Sequence, residues 1–167
     1  MFKNNMHEHV DLADITFSEN GDVDVGQLNT LYRLVGWDRS NRRTAAETVE
    51  MLRVSHYYIA AQTAEGVLIG FARVCGDPYV AQVLDVVTHP EYRRRGVATK
   101  CMRGVVAYLQ RSRYVSVTLT HGSGLDSFYQ RFGFQTVKDV ARIWKPAPKT
   151  NLGDVEGSLP NPPLQRP

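Results

Sequence analysis

The chain has 167 residues, of which 43% are apolar and 22% are charged, and its formal net charge is +3. This length and apolar content suit one globular domain, and the small positive excess does not by itself indicate nucleic acid. No apolar run is long enough to span a bilayer, and the polar start of the chain lacks the apolar segment of a signal peptide. We expect a cytoplasmic protein that binds neither membrane nor nucleic acid.

The cysteines and histidines do not indicate a metal site. Cys75 and Cys101 fall within a predicted strand and a predicted helix, where cysteine behaves as a small hydrophobe. The histidines show no spacing with these cysteines that is typical of metal ligands. We therefore expect no bound metal and no disulfide.

In the first half of the chain, a polar lead over residues 1–12 precedes one strand, two amphipathic helices and three further strands. The predicted elements are a strand over 13–19, helices over 25–35 and 44–53, and strands over 57–63, 67–74 and 79–87. Gly36 can end the first helix and Thr44 can cap the second. Short turns join the last three strands, which predicts that they pair antiparallel.

The second half predicts a helix over 99–111, a strand over 115–120, a short helix over 125–132, and a closing pair of strands over 134–138 and 140–145. The strand over 115–120 follows a helical crossover, so it should lie parallel to the strand before it. Residues 146–167 are rich in proline, which predicts a disordered or draped tail after a domain over 13–145.

A basic glycine turn lies between the strand that ends near Val87 and the helix over 99–111. The first N–H groups of a helix have no intrahelical partners and carry the positive end of its dipole, so they bind phosphate readily. Gly96 and Ala98 are small enough for a pyrophosphate to reach these groups. Arg93, Arg94 and Arg95 place positive charge around it.

Two motifs in this region resemble the GNAT superfamily of N-acetyltransferases. The sequence Arg93-x-x-Gly96-x-Ala98 resembles the superfamily's acetyl-CoA pyrophosphate loop, and the run that begins Phe128-Tyr129 and ends Gly133-Phe134 resembles a segment near the end of its domain. Their order and separation make the pair more specific than either motif, and the resemblance covers residues 12–145. It implies a mixed, mostly antiparallel sheet of about six to seven strands with helices on both faces.

By this resemblance, acetyl-CoA lies between the two parallel strands, with no metal. The residues that would bind it are Val86, Val87, Thr88, Arg93, Arg94, Arg95, Gly96, Val97, Ala98 and Thr99. Backbone N–H groups of the first three would stabilise the developing oxyanion. The loop between the first two helices lines the acceptor site in the superfamily, which makes Trp37 and Asp38 candidate substrate contacts; alternatively, Trp37 packs under the helices and Asp38 caps a turn.

For the chemistry, the resemblance implies that Tyr129 donates a proton to the CoA thiolate; otherwise it is one more aromatic residue of the core. The base is open, because Gln82 and Leu84 occupy the positions where the superfamily often carries glutamate or histidine. Asp85, His121 or a water molecule remain as candidates. Asp85 could equally be a structural hydrogen-bond acceptor.

The sequence therefore predicts transfer of an acetyl group from acetyl-CoA directly to a primary amine. The acceptor would be a small-molecule amine or a peptide amine, and the sequence allows a homodimer. The alternative function is a non-catalytic module that binds acetyl-CoA and regulates a protein partner. The proline-rich tail favours that alternative, as does the lack of a glutamate or histidine at positions 82 and 84. Tyr129 favours an enzyme.

Overall fold

The structure is a computed structural model that describes residues 12–137. A sheet with helices on both faces contains the strands β1 (Thr16–Glu19), β2 (Tyr57–Gln62), β3 (Leu68–Gly76), β4 (Val80–Thr88) and β5 (Ser116–Leu119). The helices are α1 (Val25–Leu34), α2 (Ala45–Val54), α3 (Val97–Arg111) and α4 (Asp126–Gln130). Within this part of the chain, no helix has the length and apolar character needed to cross a bilayer.

The strand order is β1-β2-β3-β4-β5, and only the β4–β5 pair is parallel. This confirms the predicted mixed sheet and the helical crossover through α3. Residues 12–137 contain five strands rather than six to seven, because residues 134–137, predicted as the start of a strand, form none. The second predicted closing strand, over 140–145, lies outside the described residues, as do the tail and most of the N-terminal lead.

Two apolar clusters pack on opposite faces of the sheet. The larger one joins the strands to the inner face of α3, whose buried residues are Val97, Cys101, Met102 and Val105. The other joins the sheet to α1 through Leu28, Leu31 and Tyr32. The two helices thereby fix the sheet from both sides, as the helical spacing of their apolar residues predicts.

Two glycines let α3 approach the sheet closely. A Cβ on Gly70 of β3 would overlap Cγ1 of Val97, the first residue of α3, and would lie 3.2 Å from Cβ of Ala61. A Cβ on Gly104, in the middle of α3, would lie 2.7 Å from Cδ1 of Ile59. The start of α3 is therefore positioned by direct packing against the central strands.

We expect Gly70→Ala to lower the free energy of unfolding by about 1–3 kcal/mol, because the added methyl group must displace Val97 or the neighbouring strand β2 at Ala61. Urea denaturation of the full chain measures this. Gly21→Ala is the matched control, since its Cβ would meet nothing closer than Ser18 Cβ at 3.4 Å. Equal stability of the two variants would contradict the close packing of α3.

Candidate active site

The parallel strands β4 and β5 pair over only part of their length. Their register runs from Val80 opposite Ser116 to Val83 opposite Leu119. Beyond Val83, β4 continues for five residues with no partner on the β5 side among the described residues. The backbone N–H and C=O groups that this segment directs toward β5 are therefore available to a ligand, whereas β3 pairs with its other side.

A bulge lies in β4 where the two strands separate. Between Phe71 and Arg73, β3 has one residue, whereas β4 has two between their partners Val87 and Leu84. One of these two β4 residues, Asp85, has a left-handed backbone with φ of 54°. Such a conformation costs about 1–2 kcal/mol for a residue other than glycine, although aspartate and asparagine tolerate it better than most.

The bulge changes which face of the sheet the following residues meet. Val83 belongs to the α3 cluster and Val87 to the α1 cluster, although strict alternation would place two residues four apart on the same face. Asp85 is turned toward α1 by the same irregularity, since its carboxylate contacts Tyr32 of that helix. The bulge therefore turns the backbone N–H and C=O groups near residues 85–87 in directions that they would not have in a regular strand.

The carboxylate of Asp85 is held by two side chains. Its Oδ2 accepts hydrogen bonds from Nε of Arg73 at 2.6 Å and from the hydroxyl of Tyr32 at 3.0 Å. The side chains of Arg73 and Asp85 are only 14% and 15% exposed, so this ion pair is largely removed from water. Within residues 12–137, both hydrogen bonds to this carboxylate go to Oδ2.

The surroundings keep the two donors protonated. Burial, and then the negative charge of Asp85, raise the pKa of Tyr32 far above its ordinary value. Burial alone would lower the pKa of Arg73, but the hydrogen bond and charge of Asp85 more than offset it and raise the pKa. Both groups therefore remain donors to Asp85 throughout the physiological pH range.

A cavity of about 790 Å³ extends from the end of β4 to the start of α3. Its walls include all but one of the residues predicted to bind acetyl-CoA: Val86, Val87, Thr88, Arg93, Arg94, Gly96, Val97, Ala98 and Thr99. The remaining residue, Arg95, is not part of the wall, and its guanidinium carbon lies 5.3 Å from the ring centre of Tyr92. The wall also contains Tyr92 and Arg131, so a third arginine joins Arg93 and Arg94.

The residues at this cavity fit a phosphorylated ligand. Gly96 precedes α3 with φ of 86°, a conformation that favours glycine, and it supplies no side-chain cap for the first N–H groups of the helix. Those N–H groups are thus free to bind an anion. In addition, Oγ1 of Thr88, another residue of the wall, is buried without a hydrogen-bond partner among the described residues.

A second cavity, of about 350 Å³, opens between the separated strands. Its wall includes Leu84 and Asp85 of β4 and His121 after β5. The two cavities share four wall residues, which are Trp37, Val86, Leu125 and Tyr129. A ligand in one cavity would therefore meet a ligand in the other beside Tyr129.

Tyr129 is held in place by aromatic rings. It is 7% exposed, stacks on His121 at 5.1 Å between ring centres, and meets the edge of Phe128 at 4.9 Å. No hydrogen bond from its hydroxyl is found within residues 12–137. Burial raises the pKa of Tyr129, so its hydroxyl carries its proton at neutral pH. Nε2 of His121 lies 3.6 Å from a carboxylate oxygen of Asp126.

The turn after α1 determines the position of Trp37. The N–H of Gly36, which has φ of 80°, donates to the carbonyl of Arg33, and the N–H of Trp37 donates to that of Tyr32. This is the Schellman arrangement that a glycine after a helix favours. It stacks the indole of Trp37 on Tyr32 with 6.0 Å between ring centres and leaves Trp37 51% exposed at both cavities.

Asp38 lies next to Trp37 but is not in the wall of either cavity. It is buried, and its two carboxylate oxygens accept hydrogen bonds from the backbone N–H groups of Arg42 and Arg43 at 2.8 and 3.2 Å. The bond from Arg42 above all holds the pKa of Asp38 below its ordinary value. In this structure Asp38 shapes the loop that presents Trp37.

The profile of the acetyltransferase (GNAT) domain matches residues 53–136, half of the chain. The chain belongs to the GNAT acetyltransferase family. Similar relatives of this GNAT protein include the uncharacterized N-acetyltransferase ycf52 of Pyropia yezoensis, 26% identical over 79% of this chain and 75% of the relative. The ycf52-like protein of Prochlorococcus marinus is 31% identical over 74% of this chain and 69% of the relative.

A solved structure of an acetyltransferase shares this fold. An acetyltransferase of Trypanosoma brucei has the same fold with a TM-score of 0.66, at 17% identity over 79% of this chain and 100% of that one. The protein is thus an acetyl-CoA-dependent GNAT acetyltransferase. The cavity at the start of α3 is its candidate coenzyme site.

Three residues at this site were not singled out by the sequence. Arg131 lies inside one of the two motifs, yet only the structure shows it in the wall of the coenzyme cavity. Tyr32 and Arg73 looked like ordinary helix and strand positions, although they hold Asp85. The charge of Arg73 within an otherwise apolar strand was the one available signal that it had a buried partner.

We expect Arg93→Ala to raise the Kd of CoA about five- to thirtyfold, because a charge-assisted contact to phosphate is lost. Calorimetry on the full chain measures this affinity. Arg111→Ala, at the other end of α3 and in neither cavity wall, removes the same charge and should leave the Kd within about twofold. Equal losses in the two variants would mean that general electrostatics, rather than this cavity, binds CoA.

Proposed function

We propose that the protein transfers the acetyl group directly from acetyl-CoA to a primary amine, with Tyr129 as the general acid. One observation carries the proposal: Tyr129 is a wall residue of both cavities, where a coenzyme in the larger one meets an acceptor in the smaller one. Because its pKa is raised, the hydroxyl of Tyr129 holds at neutral pH the proton that a leaving thiolate needs. No covalent acetyl-enzyme intermediate is required.

In this reaction the residues act in a fixed order. The amine nitrogen attacks the thioester carbon, so that a C–N bond forms while backbone N–H groups near Val86 and Val87 stabilise the negative charge on oxygen. The C–S bond then breaks, and the hydroxyl of Tyr129 gives its proton to the sulfur. The proton lost by the amine leaves through a base and ultimately returns to Tyr129.

Two side chains at the smaller cavity are candidates for that base. The carboxylate of Asp85 is in the wall but is already bound to Arg73 and Tyr32. The imidazole of His121 is also in the wall and lies against the ring of Tyr129. A water molecule is the third candidate. Variants that lack one of the two side chains distinguish these three routes for the amine proton.

We expect Tyr129→Phe to lower kcat about a hundredfold or more, with the Kd of CoA nearly unchanged, because only the proton donor is removed. Phenylalanine preserves the packing against His121 and Phe128. Steady-state thiol release measures kcat, and calorimetry measures Kd. Tyr79→Phe is the control, since Tyr79 is 69% exposed and lies in neither cavity wall; full turnover by Tyr129→Phe would remove the acid role.

The smaller cavity is the proposed acceptor site. The larger part of its wall is apolar, including Val83, Leu84, Leu119 and Leu125. The exposed indole of Trp37 forms its border with the coenzyme cavity. We therefore assign the acceptor as an amine carried on an apolar or aromatic body that packs against Trp37.

We expect Trp37→Ala to raise the KM for the amine about five- to fiftyfold while changing the Kd of CoA less, because the contact surface for the acceptor is lost. Trp37→Phe should recover most of that loss. Arg39→Ala, an exposed change in the same loop, should leave both constants unaltered. The acceptors to compare are tryptamine, phenethylamine and spermidine; an unchanged KM for each of them would contradict the assignment.

A further inference from the structure

The ion pair of Asp85 lies at the bulge in β4, and the amine proton can go to His121 or to water in its place. Asp85 has the left-handed backbone of the bulge, while Arg73 pairs across the sheet with its neighbour Leu84. The side-chain contact between Asp85 and Arg73 therefore spans the irregular part of the β3–β4 pair. It connects the extra residue of β4 to the regular strand beside it.

The second contact of Asp85 reaches a different element. Tyr32, which donates to Oδ2 of Asp85, is fully buried in α1. The ring of Tyr32 contacts Trp37, and the guanidinium carbon of Arg43 lies 4.0 Å from the centre of that ring. One buried tyrosine thus joins the bulge to both ends of the loop that borders the proposed acceptor site.

From these contacts we propose that Asp85, Arg73 and Tyr32 are positioning residues rather than a general base and its environment. They hold the left-handed backbone of Asp85, and through it the orientation of the backbone N–H groups near Val86 and Val87. This inference rests on the proposed function, because those N–H groups are the proposed oxyanion donors. It assigns the proton of the amine to His121 or to water.

The geometry supports positioning over proton transfer. Oδ2 of Asp85 already accepts hydrogen bonds from two donors, and the ion pair with Arg73 is largely buried. Without this carboxylate, the guanidinium of Arg73 would be an unpaired charge in a largely dry site, so the ion pair serves the structure. A bulge held by side chains also explains how a residue other than glycine keeps φ of 54°.

Three substitutions separate the two roles. Asp85→Asn keeps an oxygen acceptor and tolerates the left-handed backbone, Asp85→Gly tolerates the backbone but cannot hold it, and Tyr32→Phe removes one donor. Positioning predicts that kcat falls about three- to tenfold for Asp85→Asn and Tyr32→Phe and about a hundredfold for Asp85→Gly, with the KM of acetyl-CoA little changed. The pH profile of Asp85→Asn should keep the shape of the wild type.

The matched control is Tyr58→Phe, which removes a hydroxyl that donates to the carbonyl of Gly21, away from both cavities. It should retain wild-type kcat. Equal losses of kcat for Asp85→Asn and Asp85→Gly, with the acid limb abolished in the pH profile of the residual activity, would make Asp85 the base and overturn the proposal. Lower stability with normal kcat in all variants would also overturn it, because the role would then be structural only.

A second readout does not depend on turnover. Backbone NMR of the full chain with CoA should show altered shifts for the amides of Val86 and Val87 in Asp85→Gly and Tyr32→Phe, but not in Tyr58→Phe. Unaltered amides in both variants would contradict positioning. If the wild type releases no thiol with any amine, the proposed function fails, whereas the NMR result still decides whether these side chains hold the bulge.

Discussion

The separation of β4 from β5 beyond Val83 is the constraint on which the site depends. Where the two strands pair, they complete the sheet and bury the apolar core. Where they separate, β4 has no strand partner on its β5 side within residues 12–137, and buried backbone groups without partners are unfavourable. A ligand that pairs with them therefore gains binding energy from groups that the fold leaves available.

The two faces of the sheet support different parts of this site. On one face, Gly70 lets Val97 pack against β3, which places the first turn of α3 and its free N–H groups at the end of β4. On the other face, the Schellman turn of α1 presents Trp37, and Tyr32 contacts Asp85 in the bulge. In the proposed reaction, coenzyme and acceptor would thus bind beside helices on opposite sides of one irregular strand.

Much of this arrangement could be predicted because its signals are local. The strand, basic turn and helix around Gly96 follow one another in sequence, and both helix caps were found from single residues, Gly36 and Thr44. The helical crossover before β5 likewise predicted the parallel pair. These features depend on backbone conformation and short-range hydrogen bonds, which residue types determine directly.

The contacts that organise the smaller cavity could not be predicted in the same way. Asp85 meets Arg73 from 12 residues away and Tyr32 from 53 residues away, so no local pattern records either contact. The sequence left the direction of Asp85 open because alternation and a bulge predict opposite faces. For Asp38, the sequence left both a substrate contact and a turn cap open, and the hydrogen bonds from Arg42 and Arg43 favour the cap.

A crystal structure of the full chain with acetyl-CoA would test the central claim most directly. The account predicts that the pyrophosphate contacts the N–H groups at the start of α3 and that the thioester sulfur lies within hydrogen-bonding reach of the hydroxyl of Tyr129. It also predicts that the acetyl group points into the smaller cavity beside Trp37. A sulfur atom remote from Tyr129, or an acetyl group directed away from that cavity, would contradict the account.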